Sequence, residues 1–178
     1  MIIDLRTIPR EGTWSFQFCL DKDWWHPYAQ NDQVLGLDTP LTVKVDIYKA
    51  GEKYVLKGHM KGFIQLMCDR CLVAYSRDID HDFKVILAPL PPDSEKAEVE
   101  LHEEDMEIGF IKGEEIDLGA IIQEQLYLSL PIKSLCREDC LGLCSLCGAN
   151  LNHGDCGCRM EHGHTGFSKL RSLKIERE

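Results

Sequence analysis

Cys136-Arg137-Glu138-Asp139-Cys140-Leu141-Gly142-Leu143-Cys144-Ser145-Leu146-Cys147-Gly148, followed by Cys156-Gly157-Cys158, sets six thiols within 23 residues. Far upstream stands another pair, Cys68-Asp69-Arg70-Cys71, and only Cys19 lies apart from the two clusters. Sulfur at this density reads as a disulfide framework in a secreted chain and as metal ligation in an intracellular one. The start, Met1-Ile2-Ile3-Asp4-Leu5, has no basic region followed by an apolar run, so the expectation is a cytoplasmic protein with metal-bound thiolates. No stretch has the eighteen or so uncharged apolar residues of a membrane span, and no membrane partner is expected.

Thiolates two residues apart in a tight turn can both reach one ion at about 2.3 Å. Cys68 with Cys71, and Cys144 with Cys147, are such pairs, and Gly148 suits the left-handed backbone these turns require. Each pair is half of a four-ligand site. The nearest complement of Cys144 and Cys147 is Cys156 with Cys158, which leaves Cys136 and Cys140 for Cys68 and Cys71. One metal would then organise a module too small to fold on its own apolar core, and the other would tie that module to the upstream domain. A second grouping, Cys136, Cys140, Cys144 and Cys147 in one site and Cys68, Cys71, Cys156 and Cys158 in the other, stays open. Zinc is the expected metal in two structural sites, with an iron–sulfur cluster as the alternative. His153, His162 and His164 lie near the run, but a lone His in such a loop is read as surface. Cys19 is read as a small apolar filler.

The 178 residues carry a net charge of −10. Nearly all of the excess falls in residues 93–117, where eleven Asp or Glu meet two Lys. That composition, opened by Pro89-Leu90-Pro91-Pro92, describes a solvated connection, or a landing surface for a basic partner in which Glu103, Glu104 and Asp105 would lead. An acidic chain does not hold nucleic acid by a general basic field. The last segment, Lys169-Leu170-Arg171-Ser172-Leu173-Lys174-Ile175-Glu176-Arg177, reverses the sign and reads as a short basic amphipathic helix.

Upstream of the acidic stretch the pattern is β. Val43, Val45 and Ile47 alternate with polar residues, Ala50-Gly51 offers a turn, and Tyr54 and Leu56 resume the alternation. After Cys71, one face carries Val73, Tyr75, Ile79, Phe83, Val85 and Leu87, and the other Ala74, Ser76, Asp78, Asp80, Asp82 and Lys84. Strands are also expected over residues 2–8 and 14–20, and Trp24-Trp25-His26 as a core cluster. One helix is clear: Asp117 caps it, Leu118, Ile121, Ile122 and Leu126 share a face, and Pro131 ends it. The expected fold class is therefore α+β. It has a mainly antiparallel β domain over residues 1–88, with barrel-like closure as one option, an acidic connection over 89–116 and one main helix over 117–131. A cysteine-rich zinc module over 132–160 and a basic, helical tail over 161–178 complete one compact unit.

Catalytic signatures are missing: there is no GxSxG, no HExxH and no glycine-rich phosphate loop. Four thiolates close a metal to substrate, so a non-enzymatic protein with no small-molecule substrate is expected.

The segment 135–152, following a helix that ends Leu130-Pro131 and preceded by Cys68-Asp69-Arg70-Cys71-Leu72, resembles the YceD family, the large ribosomal RNA subunit accumulation proteins of bacteria and plastids. The resemblance covers residues 57–158. It implies a role in accumulation or processing of large-subunit ribosomal RNA and in ribosome assembly, and it assigns no catalytic residue. The chain departs from the family pattern at Ser145, in place of proline, and in His162-Gly163-His164. Two modes of action follow as expectations. In one, Arg70, Lys133, Arg137, Arg159, Lys169, Arg171 and Lys174 touch phosphates of precursor ribosomal RNA. In the other, the acidic stretch holds a ribosomal protein or an assembly factor. Competing classes are a redox-sensitive zinc–thiolate module or chaperone, and a metal-dependent RNA hydrolase with an open coordination position.

Overall fold

The computed structural model describes residues 1–9, 11–26, 33–90 and 108–158. Its centre is a long hairpin, β5 (Lys53–Met67) against β6 (Ala74–Pro89), running in continuous antiparallel register from Tyr54↔Leu87 to Met67↔Ala74. The strand β4 (Leu41–Ala50) enters β5 through a two-residue loop begun by Gly51 at φ 65, the conformation that primed hairpin turns need. The edge strand β2 (Trp14–Leu20) pairs with β4, and β3 (Val34–Leu37) continues along the same side of β5 beyond the end of β4. The strand β7 (Ile108–Ile111) pairs with β6 in parallel. The sheet is thus mixed, with β2 and β7 at its ends, and the barrel-like option is not realised among the described residues. The α+β expectation holds in its coarse form.

One face of the sheet is the core. Leu41, Val43, Val45 and Ile47 of β4 and Leu56, Met60, Ile64 and Leu66 of β5 are almost wholly buried, as period-two alternation requires. Gly58 interrupts this row because the ring of Phe83, its cross-strand partner, fills the space; a Cβ on Gly58 would lie 2.1 Å from Phe83 Cζ. Ile79, Phe83 and Leu87 are buried from β6, whereas Val73 is exposed. Val73 precedes the strand and belongs to the turn, so no neighbouring strand covers it.

The helix α1 (Leu118–Leu128) closes the open side of the core with Leu118, Ile122 and Leu126. The Asp117 side chain accepts from the Gly119 N–H, which satisfies one of the donors left free at a helix start. A two-stranded sheet of β1 (Ile2–Asp4) and β8 (Glu115–Asp117) fixes the helix entry. The strand expected over residues 2–8 stops at Asp4, whose carboxylate caps a 3-10 turn, Leu5–Thr7. Trp25 is buried against Tyr127 of the helix, with ring centroids 5.6 Å apart, and Trp24 packs beside it. Cys19 is exposed rather than a filler. Its strand turns Leu20 inward and Cys19 to solvent.

Candidate metal centres

Cys68 and Cys71 form the turn that joins β5 to β6. The backbone folds tightly there: Cys68 N–H donates to Val73 O at 3.0 Å and Leu72 N–H to Cys68 O at 2.9 Å. Leu72 takes a left-handed conformation at φ 57. Beyond α1 the chain is drawn to this turn by two reciprocal bonds. Asp69 N–H donates to Ser134 O at 2.8 Å, and Ser134 N–H donates to the Asp69 carboxylate at 2.6 Å. Two residues later Cys136 comes within reach, and a turn through Arg137 brings Cys140 in from the other side. The Sγ atoms lie 3.8 Å apart for Cys68 and Cys140, and 3.7 Å for Cys71 and Cys136. Cys68, Cys71 and Cys140 are buried.

The second group repeats the local design. Cys144 N–H donates to Ala149 O at 2.8 Å and Gly148 N–H to Cys144 O at 2.9 Å, with Gly148 at φ 74. Cys156 and Cys158 return after a 3-10 turn, Leu151–His153, capped by the Asn150 side chain. Asp155 accepts from the Gly157 N–H and bends the chain between them. Cys144 and Cys156 are half-buried, and Cys147 and Cys158 are exposed.

Within each group all four sulfurs lie within 4.8 Å of one another. A tetrahedral ion with sulfur at about 2.3 Å sets its ligands about 3.8 Å apart, so both donor sets fit such an ion. The grouping is Cys68, Cys71, Cys136, Cys140 and Cys144, Cys147, Cys156, Cys158, as spacing suggested. The alternative grouping is not the one adopted.

The electrostatics are those of four thiols crowded together at each centre. Burial pushes the Cys68 thiol up, but backbone N–H groups of Cys136, Cys71 and Arg70 outweigh it and bring it to about 6. Burial and the neighbouring sulfurs push Cys136 up to about 12. In the second group backbone N–H groups of Cys147 and Leu146 bring Cys144 to about 6, while the sulfurs of Cys147 and Cys156 push Cys158 up to about 12. Four anionic sulfurs this close repel one another, so all four could ionise together only around a cation.

The basic residues expected at phosphates divide. Arg70 donates to Cys140 O at 2.8 Å, and Arg137 donates to Asn152 Oδ1 at 2.7 Å and pairs with Asp139 at 3.3 Å. Arg70 thus ties the hairpin turn to the Cys136–Cys140 segment within the first group, and Arg137 links the first group to the second. Lys133 is exposed beside the Ser134 clasp. Arg159, Lys169, Arg171 and Lys174 lie outside the described residues, as do Glu103, Glu104 and Asp105. His153 is exposed in the 3-10 turn and belongs to neither thiol group. Sequence reasoning passed over Asp69, Ser134 and Asn152, whose roles appear only when distant segments meet. Leu72 was legible in part, because it holds the place after a CxxC that Gly148 holds after the other.

A family description, the large ribosomal RNA subunit accumulation protein YceD, matches residues 56–174. The chain belongs to the YceD family. It is 30% identical over 157 residues to the chloroplastic large ribosomal RNA subunit accumulation protein YCED homolog 1 of Arabidopsis thaliana, covering 76% of this chain and 49% of the relative. The Zea mays counterpart is 26% identical over 158 residues, covering 76% and 54%. An uncharacterised protein of Mycobacterium tuberculosis is 38% identical over 84 residues, covering 47% of this chain and 38% of its own length. The chain thus spans about half the length of the plant YceD relatives. No solved structure matches it. No helix among the described residues is long and apolar enough to cross a membrane.

Proposed function

We propose that this chain is a non-catalytic, zinc-stapled factor that supports accumulation of large-subunit ribosomal RNA by binding a ribosomal protein or another assembly factor. The observation that carries the reading is the pair of four-thiol groups, each closed by its own ligands. A bound zinc would supply a cross-link and no vacant position for water or substrate. Membership of the YceD family supplies the ribosomal context. Eight reduced thiols suit a reducing compartment, with the cytoplasm as the expected one.

The partner is sought in charge. Residues 93–117 concentrate the acidity of the chain, while Arg70 and Arg137, candidates for phosphate contact, are engaged internally. A basic protein therefore fits better than a broad RNA footprint. The test is affinity purification from cells at stated, near-physiological salt, comparing wild type with the triple variant Glu103→Gln, Glu104→Gln, Asp105→Asn. Loss of ribosomal proteins from the variant is expected. Unchanged capture would remove this surface from the proposal, and bound precursor RNA resisting protein removal would favour direct RNA contact.

A redox-sensitive reading is favoured by one observation, the exposure of Cys147 and Cys158. Reversible zinc release under mild peroxide, with new apolar surface detected by dye binding, would support it.

A further inference from the structure

The loop between Cys147 and Cys156 does more than connect ligands, because it carries Asn152. This residue stands in the 3-10 turn Leu151–His153 of the second group, yet its side chain reaches the first. Asn152 Nδ2 donates to Cys140 Sγ at 3.3 Å and to Asn150 Oδ1 at 2.8 Å. Its Oδ1 accepts from Leu141 N–H at 2.8 Å and from Arg137 Nη2 at 2.7 Å. Both amide hydrogens and both lone pairs are used, so the orientation is determined: a flipped amide would set donors against Leu141 N–H and Arg137.

We infer that Asn152 is a positioning residue that makes metal binding by Cys68, Cys71, Cys136 and Cys140 depend on closure of the Cys144, Cys147, Cys156 and Cys158 group. This rests on the metal-binding reading of the two thiol groups. An N–H donated to a thiolate stabilises its charge, and Cys140 must hold that charge while three other sulfurs crowd the same ion. Asn152 can donate only while its loop is closed, and an ion held between Cys147 and Cys156 closes that loop. The backbone is already matched to this arrangement, with Leu151 N–H donating to Gly142 O at 2.9 Å and Leu143 bridged to Asn150. An ordinary turn residue would need only the Asn150 cap. It would have no cause to spend its own amide on a sulfur of the other group. By linkage, the effect is reciprocal: filling either group tightens the other by the same factor.

The test uses the full chain, titrated with cobalt(II) as a probe of thiolate coordination and with zinc against a competing chelator. The variant Asn152→Asp keeps both acceptor bonds and removes both N–H donors; Asn152→Ala removes all four. For each, one of two metal equivalents should bind about 10- to 100-fold more weakly, with a changed thiolate-to-cobalt charge-transfer band. In a Cys144→Ser, Cys147→Ser background, which leaves the first group alone, that group should already be weakened, and Asn152→Asp should add little further. The converse background, Cys68→Ser with Cys71→Ser, should weaken the second group by the same factor and needs no change at Asn152. Two wild-type equivalents with unchanged affinities in Asn152→Asp would overturn the inference alone, as would backgrounds whose effects simply add. A wild-type chain that holds no metal would overturn the metal reading and the inference with it.

Discussion

The two CxxC turns share one backbone diagram and differ in everything around it. In each, the first Cys donates to the carbonyl five residues on and accepts from the N–H four residues on, and that fourth residue is left-handed. The first turn caps the longest hairpin of the sheet and is covered by the segment that Asp69 clasps at Ser134. The second sits in a chain of small and polar residues, and its outer thiols meet solvent. Spacing dictates how a knuckle folds, whereas burial depends on which distant segment lies over it. The first group is accordingly a joint between the sheet and the C-terminal module, and the second a local clasp.

That contrast is open to attack, most forcefully by removing a ligand from each side. Cys68→Ser should abolish one metal equivalent and release residues 134–143 from the hairpin, seen as faster hydrogen exchange there. The accompanying loss of stability should be several kcal/mol, a fraction of the about 10–16 kcal/mol that structural zinc contributes in small modules. Cys158→Ser should leave the clasp at Ser134 in place. A Cys68→Ser chain with full metal content and unaltered melting would end the idea of a joint.

Chemical access comes next. During slow metal removal by a chelator, alkylation followed by mass spectrometry should mark Cys147 and Cys158 well before Cys68, Cys71 and Cys140, following their exposure. The reverse order would mean that burial does not protect the joint.

Acid, by contrast, should treat the two turns alike. Cys68 and Cys144 each fall to about 6 from an ordinary thiol value of 9.0. In the metal-free chain a group depressed on folding stabilises the fold fully above its unfolded value, and this is lost as pH falls through the folded value. From these two thiols, denaturant midpoints should therefore rise from pH 6 to pH 9, and Cys68→Ser and Cys144→Ser should each reduce the slope. A slope removed wholly by one variant would show that the turns are electrostatically unequal.

The smallest expected effect concerns the backbone itself. Leu72 holds φ 57 where the second turn has Gly148 at φ 74, and the residue is 58% exposed. Leu72→Gly should relieve about 1 kcal/mol of left-handed strain, read from the melting temperature of the metal-loaded protein, and Gly148→Ala should cost a similar amount. A destabilised Leu72→Gly would show that the leucine contributes packing that its exposure conceals.

Much of the fold was legible because its signals are local. Val43, Val45 and Ile47 lie on one side of β4 as their spacing says, and Asp117 caps α1 as a residue of its type should. Reading failed where a residue answers to something far away in sequence. Nothing near Gly58 in sequence marks it as the seat of the Phe83 ring, which comes from the next strand. Cys19 looked like a filler and faces solvent, and Val73 continued an apolar face but stops short of the strand. Asp69 was noticed only as a spacer between two cysteines. The parallel pairing of β6 with β7 had no local signature at all, since alternation is blind to strand direction.

By itself the sequence determined the two knuckles, the alternation that makes a one-sided sheet and the helix with its cap, because each is set by residues within a few positions of one another. It also narrowed the thiols to two partitions. Only the tertiary structure assembled the partition that spacing favoured and made Asn152 a neighbour of Cys140, because the first depends on Ser134 meeting Asp69, 65 residues away, and the second on the loop after Cys147 folding back onto Cys140, and no local preference encodes either.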